Sequence, residues 1–460
     1  MVDIAQLVSA SGCGPEGRRF ESDYPPHTKK CGIFYNMSLF YEIFQVKLSR
    51  RYLKMEKIQM SDKLMQVHSD IRGPIFVEAL EMQKKGIPVL KLNTGNPAAF
   101  GFKMPESVRR ALSENMDKAV GYCDFRGMAE AREAICAYES GKGIKGIMPD
   151  DVFIGNGVSE LASMLTAVTL NFGDEFLIPS PSYSLWTNSA YIAGAKPVFY
   201  TCDESSDWYP DINDIKSKIT SRTRAILIIN PNNPTGALYP PEILSEIVKI
   251  AREHNLIIFS DEIYDRLVMD GKEHTSTAAL AGDDVVCVTL NGLSKSHCLC
   301  GFRCGWLVLS GNKSAYSDIM QGLVKYASMR LCGNALTQLV IPAALADSEY
   351  TKSMIVPGGR LYEQREATAR GLSKIDGITY IKNSAAFYMF PKLDKARFGI
   401  KDDKKFAMDL LHEKHILIVP ASGFDWDGND HFRIVMLPEA EILSRAIADI
   451  GDFLSDYHQK

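Results

Sequence analysis

The feature that most constrains this chain is a series of short apolar runs that stop abruptly at polar residues. RAILIINPNNPTG, NLIIFSDEIYD and VVCVTLNGLSK each carry four to six apolar residues and then end in turn or charged residues. Runs of Ile, Leu, Val and Phe without alternation mark strands buried on both faces. Between the first two lies PEILSEIVKIAREHN, whose apolar residues recur at i, i+3, i+4 and i+7 and predict an amphipathic helix. DDVFIGNG into SELASMLTAVTLN, DEFLIPSPSY and AKPVFYTC continue the pattern from about residue 70 onward. Strands alternating with helices imply an α/β fold with a mostly parallel sheet flanked by helices. PGGRLYEQREATARGLSKI predicts a long helix opening a second, smaller α+β region toward the C-terminus.

Size and charge narrow the function classes. The 460 residues are 46% hydrophobic and 23% charged, with net charge −4, so nothing in the balance favours nucleic acid as a partner. Ten cysteines lie scattered without paired spacing, which fits a reduced, cytoplasmic protein. Residues 1–59 differ from the rest. They hold nine basic and six acidic residues, against 43 and 50 in the remainder. The expected organisation is an N-terminal extension (1–59), poorly ordered or translated from a start upstream of Met55 or Met60. A first part of the small domain (60–105), a large domain (106–345) and a C-terminal small domain (346–460) follow. CGIFYNMSLFYEIFQVKLSRRYLK is apolar, but Asn36, Glu42 and Gln45 interrupt it, which argues against a membrane span.

In open α/β sheets ligands sit at the carboxyl ends of the strands. Those ends carry Asn233, Asp261 with Tyr264, and Lys295. A lysine just past a buried strand is costly unless its amine does chemistry. An amine that forms an imine, an acid for a ring nitrogen, and an amide and a phenol for a ring oxygen are what pyridoxal phosphate requires. Each residue has a structural alternative. Asp261 suits a helix N-cap, Tyr264 a core position, NPNNPTG a turn-rich loop, and GNGVSE any tight turn into a helix. The order at successive strand ends, not any single residue, carries the functional reading.

NPNNPTG, then SDEIY, then SK followed by GFRCGW, resembles the class I/II aminotransferases of the pyridoxal-phosphate fold type I, over roughly residues 65–458. DIRGPIFVEA, LNTGNPAAFGF, GYCDFRGM, CDESSDWYPD and HFRIVMLP bring it close to bacterial glutamate–pyruvate (alanine) aminotransferases. The resemblance implies a large domain with a mostly parallel sheet and a small α+β domain built from N- and C-terminal segments. It implies pyridoxal 5'-phosphate as cofactor, amino acids and 2-oxo acids as substrates, and a homodimer. Lys295 would hold the cofactor and shuttle a proton, Asp261 would face the ring nitrogen, and Tyr264 and Asn233 the ring oxygen. Tyr183 would stack on the ring. Gly157, Val158 and Ser159 would meet the phosphate at the start of their helix, with Ser294 and Arg303. Tyr122 would reach the partner subunit's phosphate. Gly95, Asn233 and Arg433 would receive the substrate, Arg433 gripping its α-carboxylate, and Arg72 is a candidate for a distal carboxylate.

The pattern is broken in places. Gly292 stands where the family often carries a hydroxyl, Ser184 where proline is usual, and Cys298 and Cys300 where arginine and alanine are more expected. Cys298, Cys300 and Cys304 beside His297 raise a rival reading as a metal site, but C-x-C-x₃-C lacks the spacing of structural zinc sites, so no metal is expected. The expected reaction is transfer of an amino group between L-alanine/pyruvate and L-glutamate/2-oxoglutarate. The alternatives are another amino-acid transaminase, a C–S lyase, or a non-catalytic regulator.

Overall fold

The apolar runs come together in one eight-stranded sheet. In chain order its strands are β1 (Val152–Asn156), β2 (Glu175–Ser180), β3 (Lys196–Asp203), β4 (Tyr209–Pro210), β5 (Thr223–Ile229), β6 (Ile257–Asp261), β7 (Cys287–Gly292) and β8 (Cys304–Ser310). The structure, a computed structural model, describes residues 57–460, of which 61–460 form one unit. The readings made for 1–56 lie outside the described residues. The sheet order is β1-β8-β7-β6-β5-β2-β3-β4. The β3/β2, β2/β5, β5/β6 and β6/β7 pairs are parallel. β8 runs antiparallel to both β1 and β7, so β1 ends on the same edge as β7. Cys304, Gly305 and Trp306 belong to this inserted strand, so the glycine-rich bend after Lys295 is confined to the residues before it.

Both faces of the sheet are covered, which is why the strands are apolar without alternation. The covering helices are α1 (Ala129–Gly141), α2 (Val158–Thr169), α3 (Leu185–Ala193) and α4 (Pro241–Glu253). Ile154, Ile226, Ile258 and Val308 pack on one face against α1 and α4. Phe153, Leu227, Phe259 and Leu309 pack on the other against α2 and α3. Burying each such side chain contributes roughly 1.5–3 kcal/mol. In α4, Leu244, Ile247, Val248 and Ala251 form the buried stripe that the sequence spacing predicts.

A second core gathers residues from 75–92 and 369–454. It holds the long helix Arg360–Leu372 and the three-stranded antiparallel sheet β9 (Tyr388–Met389), β10 (Val419–Pro420) and β11 (Phe432–Val435), with β11 central. Leu90–Lys91 pairs in parallel with Ile416–Leu417, tying the early segment to the late one.

Candidate active site

The parallel strands deliver their ends to one edge of the sheet. β6 ends at Asp261, which is 4% exposed. Its Oδ2 accepts the indole N–H of Trp186 at 3.0 Å and its Oδ1 the amide of Ile263 at 3.3 Å. Burial pushes this carboxyl up to about 6, against the pull of those donors and of the Lys295 charge. β7 runs straight into the one-turn helix Leu293–Ser296 that carries Lys295. Lys295 Nζ donates to the Gly95 carbonyl at 3.0 Å and lies 5.8 Å from the centroid of the Phe387 ring. Burial works against the ammonium, but Tyr388, Cys300 and Tyr183 outweigh it and hold its pKa above the ordinary lysine value.

Gly292 has a steric reason. It pairs with Gly305 across β7 and β8, and a Cβ on it would stand 2.5 Å from the Cys304 carbonyl oxygen. The tight pairing of these strands leaves no room for the hydroxyl side chain the family often has there.

β1 turns at Gly157 into α2, with φ +84 at the glycine and no side chain capping the helix start. The amides of Val158 and Ser159 lie in the first turn, where N–H groups have no partner inside the helix. Beside them stands Arg303, whose Nη1 donates to the Cys300 carbonyl at 3.0 Å. The positive φ favours glycine at 157, and its missing Cβ leaves room for Arg303 Nη2, which a Cβ would meet at 2.5 Å. Ser294 is buried next to Lys295, and its carbonyl accepts the Cys300 thiol at 2.8 Å.

Arg433 on β11 is 2% exposed. Its Nη1 donates to Asn233 Oδ1 at 2.8 Å and its Nη2 to the Asn93 carbonyl, while its Nε has no partner. The guanidinium lies against the rings of Tyr388 and Phe424, 4.5 and 4.6 Å from their centroids. Neither hydrogen-bond acceptor is an acid. Burial lowers its pKa, and the phenols of Tyr388, Tyr264 and Tyr183 oppose this. Tyr264 OH and Tyr388 OH are 2.7 Å apart.

The structure thus brings Gly95, Gly157, Tyr183, Asn233, Asp261, Tyr264, Ser294, Lys295, Arg303 and Arg433 to one edge of the sheet and the lobe above it. Tyr122 is not among them. It is 83% exposed, with Val120 at 87% and Leu331 at 53% also bare. Arg72 is exposed in the short turn Asp70–Arg72. That turn borders the site because Asn93, whose carbonyl receives Arg433, donates its Nδ2 to the Ile71 carbonyl at 3.1 Å.

Sequence reasoning missed Trp186, Tyr388, Phe387 and Asn93. Trp186 was signalled by its place three residues after Tyr183, at the start of α3. Tyr388 carried no local signal, since AAFYMF reads as a core strand. The rival metal reading finds no support among the described residues, where no group of three or more His, Cys, Asp or Glu is arranged to hold an ion. His297 Nε2 instead meets the Ala344 carbonyl at 2.7 Å, and Cys304 is buried in β8.

The model of the family described as aminotransferase class I and II matches residues 87–450. The chain belongs to the class I and II aminotransferases. It is 50% identical over 399 residues to the glutamate-pyruvate aminotransferase AlaA of Haemophilus influenzae, covering 87% of this chain and 98% of that one. It is 44% identical over 400 residues to the alanine aminotransferase of Mycobacterium tuberculosis, covering 87% and 93%. A solved aminotransferase structure from Escherichia coli superposes with a TM-score of 0.87 at 47% identity, covering 88% of this chain and all of that one. Aminotransferases of this class use pyridoxal phosphate. The residues present fit it on their own chemistry. The buried acid feels the charge of the buried amine, yet the amine's hydrogen bond goes to a carbonyl and the acid's to neutral N–H groups. An uncapped helix start with an arginine waits at one end, and a buried guanidinium without an acid at the other.

Proposed function

We propose that this aminotransferase moves the amino group between L-alanine/pyruvate and L-glutamate/2-oxoglutarate in two half-reactions of a ping-pong cycle. The observation that carries the amino-acid part of the reading is Arg433, and the similarity to glutamate-pyruvate and alanine aminotransferases supports the choice of alanine and glutamate. A buried guanidinium bonded only to neutral oxygens is a site for a carboxylate, which it can grip with two parallel hydrogen bonds. Asn233, already bonded to that arginine, orients it.

Lys295, Asp261, Tyr264, Tyr183, Asn233, Ser294, Arg303 and the helix start at Gly157, Val158 and Ser159 would hold the cofactor. Bound pyridoxal phosphate supplies an electron sink for the pair left behind when the substrate loses its α-proton. Lys295 Nζ, in its neutral amine form, would take that proton. Asp261 would pair with a protonated ring nitrogen, the cation it lacks, and that pairing would return its carboxyl to the ionised form. Tyr264 would donate to the ring oxygen. Gly95 keeps the wall beside Lys295 free of side chain.

Exposed Tyr122, Val120, Met116, Met329 and Leu331 support a homodimer in which Tyr122 completes the partner's phosphate site. The free thiols among the described residues support a reducing cytoplasm, and no described helix is long and apolar enough to cross a membrane. The two cores support a small domain assembled from 60–105 and 346–460 around a large domain at 106–345.

The test is the absorbance of the holoenzyme before and after L-alanine, with pyruvate assayed in parallel. A loss of the visible band with stoichiometric pyruvate, reversed by 2-oxoglutarate, is expected. A band that ignores alanine and answers another amino acid would discard the substrate assignment. Elimination products in place of a keto acid with retained nitrogen would favour a lyase.

A further inference from the structure

Tyr388 stands between the residue that grips the carboxylate and the residue that faces the cofactor. It is 2% exposed, so its hydroxyl must find a partner within the protein. That partner is Tyr264 OH, 2.7 Å away, with the two rings edge to face at a centroid distance of 5.6 Å. The Tyr388 ring also carries the Arg433 guanidinium, 4.5 Å from its centroid. This arrangement is built into the fold. Tyr388 pairs with Val435 in the β9–β11 register, beside the strand that carries Arg433. Its hydroxyl is also fenced by Gly95, since a Cβ there would lie 2.6 Å from it and 2.9 Å from the Phe387 ring.

A hydroxyl has one proton to give and two lone pairs to accept with. If Tyr264 spent its proton on Tyr388 it would have none for the cofactor. Either hydroxyl can donate across this contact, and the cation over the Tyr388 ring favours Tyr388 as the donor. Burial, and then Tyr388 itself, hold the proton of Tyr264 well above the ordinary phenol range, so Tyr264 stays a neutral phenol with a proton to give.

We propose that Tyr388 is a positioning residue for the transamination, donating its hydroxyl proton to Tyr264 so that the proton of Tyr264 is free and aimed at the cofactor's ring oxygen. The proposal rests on the reading that Tyr264 meets that oxygen. It makes Tyr388, and through its ring Arg433, part of the apparatus that sets the protonation of the cofactor's link to Lys295.

The experiment is a pH titration of the visible absorbance of the holoenzyme for wild type, Tyr388→Phe, Tyr264→Phe and the double variant. Phenylalanine keeps the ring beneath Arg433 and removes only the hydroxyl. Tyr388→Phe should raise the titration midpoint by about half a pH unit, the equivalent of one weakened neutral hydrogen bond. In the Tyr264→Phe background it should shift nothing further, because the effect passes through Tyr264. An unchanged or lowered midpoint in Tyr388→Phe overturns the proposal. So does an equal shift in both backgrounds, which would mean that Tyr388 acts on its own or through general packing. A wild-type holoenzyme without a titrating band answering to L-alanine would instead overturn the functional reading, and the proposal with it.

Discussion

Two cations drawn into the interior of this molecule are treated in opposite ways. Lys142 follows α1, and its Nζ lies 2.7 Å from Glu139, 2.7 Å from Glu262 and 3.2 Å from Asp265. Those acids are themselves served by Trp306, Tyr138, Asn291, Ser260 and Ser276. The cluster sits directly behind the edge that carries Asp261 and Lys295, since Glu262 follows Asp261 and Asn291 of β7 comes four residues before Lys295. Arg433 is more fully buried, yet its hydrogen bonds go to an amide and a carbonyl, and one nitrogen has no partner. An interior cation with its anions inside the chain holds structure together. One without them waits for an anion from outside. The difference teaches where to look for a ligand: burial alone does not mark the site, but burial with the complementary charge missing does.

The contrast can be broken most decisively at Arg433. Arg433→Leu should lower kcat/KM for alanine about a thousandfold, since an orienting bidentate contact is lost. Its thermal midpoint should hold or rise, because an uncompensated buried charge is removed. A large drop in stability would show that Arg433 is structural after all. Lys142→Met should do the reverse and destabilise by about 3–5 kcal/mol, as three carboxylates would stay buried without their cation. Burial, with Glu262 and Asp265 nearby, already pushes Glu139 up to about 6 against the pull of Lys142. Without that pull the carboxyl sits higher still, so the variant should recover stability as pH falls toward the ordinary carboxylate range and carboxylates take up protons. Urea melts at two pH values would check both points, and a flat pH dependence would contradict the cluster's role.

Asp261 sharpens the contrast from the acid side. Its carboxyl is raised to about 6 in the cofactor-free protein. The folded state therefore binds more protons than the unfolded state between about pH 4 and 6, and stability falls as pH rises through that window. Above it, Asp261→Asn should stabilise the cofactor-free protein by about 1–3 kcal/mol while abolishing most activity. Cofactor should stabilise wild type far more than the variant. Calorimetry with and without pyridoxal phosphate measures this, and equal stabilisation of the two would remove Asp261 from the ring nitrogen. The smallest effect is expected at Arg72. Arg72→Ala should weaken glutamate about two- to fivefold, the size of one lost exposed charge contact, and alanine little. Steady-state kinetics with both substrates checks it, and an equal loss with both would end its role at the distal carboxylate.

The strand ends were legible because the physics there is local. A run of Ile, Leu and Phe fixes a buried strand, and Asp261 or Lys295 placed just after it has nowhere else to be. The parallel order then follows from the helix between strands. β8 was not legible, since CGWLVLS could extend a bend or start a strand, and only pairing with both β1 and β7 settles it. Tyr388, Asn93 and Trp186 act through partners between 75 and 340 residues away. No spacing rule reaches that far.

By itself the sequence determined which residues end buried strands and therefore which groups face a common edge, because apolar periodicity and turn residues act over a few positions. It also determined that an amine, an acid, an amide and a phenol would share that edge. Only the tertiary structure decided which of the interior charges would find partners in the chain. Lys142 meets its acids and Arg433 does not because burial makes every unpaired charge costly, and packing across lobes distributes the partners.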